Sequence, residues 1–483
     1  MTRLPTASPA SMGVDPKAIL DMLDTADAKG VHLHGFTLVR HGHVVSQGWY
    51  NPYREDLRHM LFSLSKSFMS TAAGFAVQEG LLSLDAPVAS FFPEKLPSPP
   101  CANMQAMKVR HLLGMCTGHT IEPNISEDFV GAFLTSYVPL EPGSRFLYNT
   151  AGSCVAGAII EKVTGKHLDE YLKPRLFDPL GIEDYKWERL PGDICAGGFG
   201  LSLRTSDIAK FGQFLLQRGM WDGQRLLNAA WVDEATSFHI LQPEGSPDWH
   251  SGYGYQFWRC SREDAYRGDG AFGQLCVVIP KHDMVIAVNA GLGDMQQELD
   301  VIFDALVSGL SGGPIPYDPK AQEALEARIS ALAIPSAVGS AAAEARRPAS
   351  LPDAPSGKAE YVMSDNKLGM VGIGVSFGET DGLVIRYQNY DLPVTVGNQE
   401  WLETIYDKDS VPATLSQGDR SDRCSVAGTV SGGEWRVRIA YTTTPFIDDV
   451  SISFVGEAIR VSLTRNVGFE AMEYKLVGLR KQR

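Results

Sequence analysis

The stretch LFSLSKSFMSTAAGFAVQEG, residues 61–80, decides how the chain is read. It sets Ser63 and Lys66 three apart at the head of an apolar run that ends on Gly80, a residue suited to the left-handed position after a helix. Residues three apart share a helix face, so the hydroxyl and the amine are neighbours. A structural explanation is available: serine caps helix N-termini, and a first-turn lysine snorkels to water. A chemical one competes with it. An amine pressed against an apolar helix loses hydration and its pKa falls. Once neutral, it can take the serine proton and create a nucleophile without any histidine. The spacing alone is cheap. Ser364-Asp365-Asn366-Lys367 repeats it in a polar turn with nothing to desolvate Lys367.

The totals narrow the classes. With 483 residues and 44% hydrophobic composition, the chain is longer than one core usually organises, and two domains are expected. The balance of 43 basic against 57 acidic residues, a formal charge of −14, argues against nucleic acid or an anionic membrane as partner. Seven cysteines, Cys101, Cys116, Cys154, Cys195, Cys260, Cys276 and Cys424, are scattered and form no CxxC pair. That pattern predicts free buried thiols in a reducing compartment. The N-terminus lacks a basic region followed by a long apolar one, and no apolar run is long enough for a membrane span. A cytoplasmic protein is expected.

Around the opening stretch, the chain alternates strands and helices. Residues 13–29 read as a helix, and 35–50 as two strands about a His-Gly turn. Residues 109–119 read as a short helix entering a glycine-containing loop; further helices are expected up to Gly165 and over 206–219. Residues 274–291 read as two buried strands. The first domain is placed at 1–315, followed by a helix and an Ala/Ser/Pro-rich linker over 316–357. From 358 to 483 the pattern changes to short period-two strands such as GLVIRYQ, EWRVRIAYTT and AIRVSLTRN, which predict a small antiparallel β-barrel.

Three motifs are set aside. Gly374-Val375-Ser376-Phe377-Gly378 matches GxSxG, but a nucleophile elbow needs a helix after the serine, and a strand-like segment follows. Gly268 to Gly273 matches GxGxxG, but it too leads into a strand. His32, His34, His41 and His43 cluster in strand-like sequence without any metal-ligand spacing.

Five segments in order carry a resemblance: HMLFSLSKSF, HLLGMCTGH, PGSRFLYNTAGSCVAGAIIEKVTG, AGGFGLSLRTSDIAKFGQFLLQRG and GDGAFGQLCVVIPKHDMVIAV. Over residues 10 to 295 the chain resembles the serine β-lactamase and penicillin-binding-protein superfamily, in its class C-like branch of esterases, amidases and D-aminopeptidases. The resemblance implies an α/β domain with an antiparallel sheet flanked by helices and a helical subdomain, and a lipocalin-like module for the barrel. It makes Ser63 the acyl-forming nucleophile, Lys66 its base and Tyr148 the proton shuttle. The amides of Ser63 and Ala271 become the oxyanion hole.

Two departures accompany it. Tyr148-Asn149-Thr150 puts threonine where the family usually has asparagine. Gly268-Asp269-Gly270 stands where lysine or histidine, a small residue and glycine are usual, so a cation for a β-lactam carboxylate is missing; Arg267 is expected to point to the other face. Asn149, Thr150, Gly268, Asp269 and Gly270 are taken as substrate-binding positions. His119 joins them as a pocket-lining candidate, although a loop-anchoring role is the favoured reading of it. Tyr253 and Trp258 are read as core.

The expectation is therefore a serine hydrolase for a small ester, amide or short peptide, with β-lactamase action weak or absent. No metal or organic cofactor is required. The partner is a small-molecule or peptide substrate, and the barrel either shapes the pocket entrance or mediates a homodimer. Two alternatives stay open: an acyltransferase or macrocyclising thioesterase of the same fold, and a pseudoenzyme that binds peptides or cell-wall fragments without turnover.

Overall fold

The computed structural model describes residues 3–336, 348–406, 422–469 and 472–482. The middle of the linker expected over 316–357 lies outside them. Two compact units emerge. The first comprises 1–48, 58–290 and 294–331, and the second 49–57, 291–293 and 332–483.

The first unit is built on a six-stranded antiparallel sheet. Its strands are β1 (Leu33–Arg40), β2 (His43–Trp49), β3 (Trp258–Arg259), β4 (Tyr266–Gly270), β5 (Gln274–Ile279) and β6 (Met284–Ala290), in the order β3-β4-β5-β6-β1-β2. β1, β4, β5 and β6 are buried at every position. Strands buried along their whole length require cover on both faces. Helix α1 (Pro16–Ala28) is capped by Asp15, which accepts from the Lys17 amide at 2.9 Å. Helix α2 (Ser65–Gln78) ends at Gly80, whose φ of 72° confirms the left-handed exit. Helix α3 (Thr150–Thr164) is capped by Asn149 and ends at Gly165. Helix α4 (Thr205–Leu216) packs across β1, β5 and β6. One apolar core joins α2, α3 and α4 to the sheet.

The domain boundary at 315 needs correction. Helix α5 (Pro319–Ser330) packs on α1 inside the first unit. Its surface is mostly polar and it buries only Ala321 and Leu325, too thin an apolar stripe to separate it from linker sequence. Residues 49–57 belong to the second unit, where Asn51 bridges Ala333 and the Tyr53 hydroxyl donates to Thr444 O at 3.3 Å. No local pattern announces such distant pairings.

Among its described residues the second unit carries ten strands, β7 (Lys358–Met363), β8 (Met370–Ser376), β9 (Asp381–Tyr387), β10 (Asp391–Asn398), β11 (Leu402–Ile405), β12 (Arg423–Ser431), β13 (Glu434–Ala440), β14 (Ile447–Val455), β15 (Ala458–Arg465) and β16 (Glu473–Arg480). They run in the order β10-β9-β8-β7-β16-β15-β14-β13-β12-β11, and a β10–β12 pairing closes nine of them into a barrel. Buried positions alternate along β7, with Ala359, Tyr361 and Met363 buried, and along β15, whereas β12 is buried almost throughout. All seven cysteines are free, and six are buried. Among the described residues no helix is long and apolar enough to cross a membrane.

Candidate active site

Ser63 sits on a forced turn. A short strand, His59–Met60, pairs with Leu201–Leu203 and delivers the chain to a 3₁₀ turn over Phe62–Leu64, directly before α2. Phe62 holds φ at 48°, a left-handed setting that a bulky residue adopts only under tertiary constraint. Ser65 supplies part of that constraint: its hydroxyl donates to Phe62 O at 2.6 Å and accepts from the Leu201 amide at 3.0 Å. Ser63 is left half-buried and reachable, on the turn rather than inside the helix.

Lys66 does not snorkel. It is 1% exposed, and its Nζ lies 3.0 Å from Ser63 Oγ, 2.7 Å from the Gly198 carbonyl and 3.4 Å from Thr150 Oγ1. Burial lowers its pKa to about 8, against a smaller upward pull from Cys154, Glu122 and Asp269. A substantial share of the amine is thus neutral near physiological pH, as a base for a serine hydroxyl must be.

Tyr148 completes the group. Its ring centroid is 4.9 Å from Lys66 Nζ. Burial, reinforced by Asp269, pushes its pKa upward against a lesser downward pull from the neighbouring Ser63, so the phenol stays protonated. The ring stacks on Trp258 at 5.8 Å and 9° and meets Tyr253 edge-on at 6.3 Å. Trp258 and Tyr253 are core residues, clustered with Met115 and Phe146, and the same packing fixes the tyrosine.

The remaining candidates divide. Thr150 touches Lys66 and opens α3. Asn149 is turned inward: its Oδ1 accepts from the Gly152 amide at 2.8 Å and its Nδ2 donates to Thr117 Oγ1 at 3.3 Å. It is a helix cap. His119 is 2% exposed, with Nδ1 2.9 Å from Thr117 Oγ1 and Nε2 2.7 Å from Ser136 Oγ. Both ring nitrogens are engaged, so it anchors the loop, and burial lowers its pKa to about 4. Glu122, which the sequence reading passed over, accepts from the Thr150 and Ala151 amides at 2.6 and 3.2 Å. A carboxylate there complements the helix dipole and adds negative potential beside Lys66.

Strand β4 brings the third segment against the turn that carries Ser63. A methyl group on Gly270 would lie 1.9 Å from Leu61 O, and one on Gly268 2.5 Å from Ser67 Oγ. Glycine is required at both for the strand to approach this closely. Gly270→Ala is expected to cost about 3 kcal/mol, the upper end of overpacking losses, because the obstructing atom is backbone; a lowered denaturation midpoint reports it. Asp269 and Arg267 share the opposite face, as alternation requires. Arg267 Nε donates to Asp269 Oδ2 at 3.0 Å, both side chains are nearly inaccessible, and the guanidinium lies 4.5 Å over Trp249. Burial raises the Asp269 pKa while Arg267 pulls it down. The cation next to Gly268 is therefore already spent within the protein.

A family model described as Beta-lactamase matches residues 24–305. The chain belongs to that family. The 6-aminohexanoate-dimer hydrolase of Paenarthrobacter ureafaciens is 25% identical over 292 residues, covering 52% of this chain and 70% of that protein. The lovastatin esterase of Penicillium rubens is 30% identical over 155 residues, 26% of this chain and 38% of the esterase. A solved family VIII carboxylesterase aligns at a TM-score of 0.50 with 18% identity, over 62% of this chain and 99% of its own; that likeness shows the fold. Family and relatives make this chain a serine hydrolase.

Of the motifs set aside, the glycines of Gly268 to Gly273 lie at the site as strand and turn, and the others sit elsewhere. Gly374 and Ser376 lie on β8, which pairs with β9 rather than leading into a helix. Ser364 Oγ donates to Val477 O at 3.1 Å, and Lys367 is exposed. The four histidines do not gather: His34 pairs with His59 at 3.1 Å, and His41 with Asp283 at 2.8 Å. Among the described residues one group places His, Cys and carboxylate ligand atoms within 4.8 Å of one another, Glu161, His167 and Cys195. Glu161 spends its oxygens on His167 and on the Leu168 and Cys195 amides, and the Arg189 guanidinium lies against Cys195 and Asp169. A protein cation already fills that cluster.

Proposed function

We propose that the chain hydrolyses a small ester, amide or short peptide through an acyl-enzyme on Ser63. The observation that carries this is the buried Lys66 amine, 3.0 Å from Ser63 Oγ with a pKa of about 8. Neutral Lys66 takes the hydroxyl proton as Oγ attacks the substrate carbonyl carbon. The amides of Ser63 and Ala271 hold the resulting oxyanion, each contributing roughly 3 to 4 kcal/mol to the transition state. The Tyr148 phenol protonates the leaving group and recovers a proton from the Lys66 ammonium, so the serine proton ends on the departing alcohol or amine. Water then attacks the ester carbonyl as Lys66 takes its proton, the bond to Ser63 Oγ breaks, and the Lys66 ammonium returns that proton to Oγ as the acyl group leaves as the acid.

Substrates that need a fixed cation for their carboxylate are disfavoured. Gly268 offers no side chain, and Arg267 is neutralised by Asp269. Penicillin turnover is accordingly expected to be slow beside that of a neutral p-nitrophenyl ester. The ester kcat/KM should rise with pH and reach half its plateau near pH 8, where Lys66 loses its proton. A profile flat from pH 6 to pH 10 contradicts the assignment of Lys66 as base.

A further inference from the structure

We infer that Gln274 is a positioning residue that sets the oxyanion-binding turn, an inference resting on the Ser63 and Ala271 reading above. β4 and β5 form a hairpin in which Gly270 pairs with Gln274, leaving Ala271, Phe272 and Gly273 as the loop. The Gln274 side chain folds back beneath this loop. Its Nε2 donates to the carbonyls of Ala271 and Phe272, each at 3.2 Å, and to Ala290 O at 2.9 Å. Its Oε1 accepts from Asn289 Nδ2 at 3.0 Å, and Asn289 Oδ1 accepts from Thr205 Oγ1 at 2.7 Å. All three side chains are buried.

The polarity of this relay admits one arrangement. Backbone carbonyls only accept, so the Gln274 nitrogen must face them, its oxygen must face Asn289, and the Asn289 oxygen must face the Thr205 hydroxyl. The relay ties the turn to the N-terminus of α4 and to β6. Pinning the Ala271 carbonyl restrains the backbone of the residue whose amide is the second oxyanion donor. In a trans peptide N–H points away from the C=O of the same peptide unit, so the carbonyls gathered on Gln274 turn the Phe272 and Gly273 amides away from it, while the Ala271 amide, part of the preceding peptide, is held through the dihedrals of Ala271 and by the Gly270–Gln274 pairing. From the other side the Phe272 ring meets Phe62 edge-on at 5.3 Å and 87°. The two halves of the oxyanion hole are thereby held from both directions, which matters because displacements of about 0.5 Å already degrade such sites.

The test compares Gln274→Met, which keeps length without the amide, with Thr205→Val and Thr205→Ser. Each is assayed for ester kcat and KM and for the rate of phosphonylation by a fluorophosphonate, normalised to labelled sites. Losing an oxyanion donor costs about 10²–10³ in kcat; a displaced donor costs less. Gln274→Met is expected to lose about 20-fold in kcat and Thr205→Val about fivefold, with KM within twofold and phosphonylation slowed in parallel, while Thr205→Ser behaves as wild type. If Gln274→Met does not fold, the Thr205 pair decides. Normal kcat per labelled site in Gln274→Met and Thr205→Val, with or without a lowered Tm, overturns the inference alone. A wild type that the fluorophosphonate does not label overturns the Ser63 reading and this inference with it.

Discussion

Exchanging Lys66 for methionine lowers kcat/KM by about 10⁴, the scale seen when the base is removed from a nucleophile that depends on it. Methionine keeps the length and apolar stem of the side chain, so the space between Ser63, Gly198 and Thr150 stays filled, and the loss reports chemistry rather than collapse. Stability moves the other way. Burial depresses the folded-state pKa from 10.5 to about 8, so between those values the unfolded chain holds more protons. Stability therefore rises with pH from about 8 to 10.5, and below pH 8 the buried ammonium imposes its full penalty, on the order of 3 kcal/mol. Lys66→Met escapes that penalty. At pH 7 it should denature at a higher temperature than wild type while being nearly inactive. A variant that is both less active and less stable would mean that Lys66 holds the turn together rather than serving as a base.

Tyr148→Phe is the second large effect. Phenylalanine retains the stack on Trp258 and the edge contact with Tyr253, so the pocket wall survives and only the phenol is lost. General acid contributions of this type are worth about 10²–10⁴. A loss of roughly 10³ in kcat is expected for an alkyl ester or an anilide, whose leaving groups must be protonated. For a p-nitrophenyl ester, whose leaving group departs as a stable anion, about tenfold is expected. Equal losses on both substrates would place Tyr148 in orientation rather than proton transfer.

Much of this was legible in the sequence because it was written locally. Gly80 and Gly165 mark helix ends, period-two alternation marks the barrel strands, and the Ser63–Lys66 spacing puts both groups on one turn. The order of the five segments then separated that serine from Ser364 and Ser376. What escaped was long-range. Trp258 reads as an ordinary core tryptophan, and nothing near it shows that its face meets Tyr148. Asn149 and His119 carry side chains suited to substrate, but the Gly152 amide, Thr117 and Ser136 claim them first. Asp269 read as a substrate position, yet Arg267 two residues away turns to the same face and pairs with it. Glu122 lies in an exposed loop with no periodicity, and its role at the head of α3 exists only once the helix is in place. Gly270 reads as a substrate-binding position, and only the Leu61 carbonyl, 1.9 Å from where its methyl would sit, shows why no side chain fits there.

The central claim is that Ser63 becomes acylated. Intact-protein mass spectrometry of the wild type and Ser63→Ala, each exposed to a fluorophosphonate and separately to a penicillin, tests it most directly. A single phosphonyl adduct on the wild type, absent from Ser63→Ala, with no persistent penicilloyl adduct on either, is the predicted result. Equal labelling of both proteins, or none on the folded wild type, would contradict it.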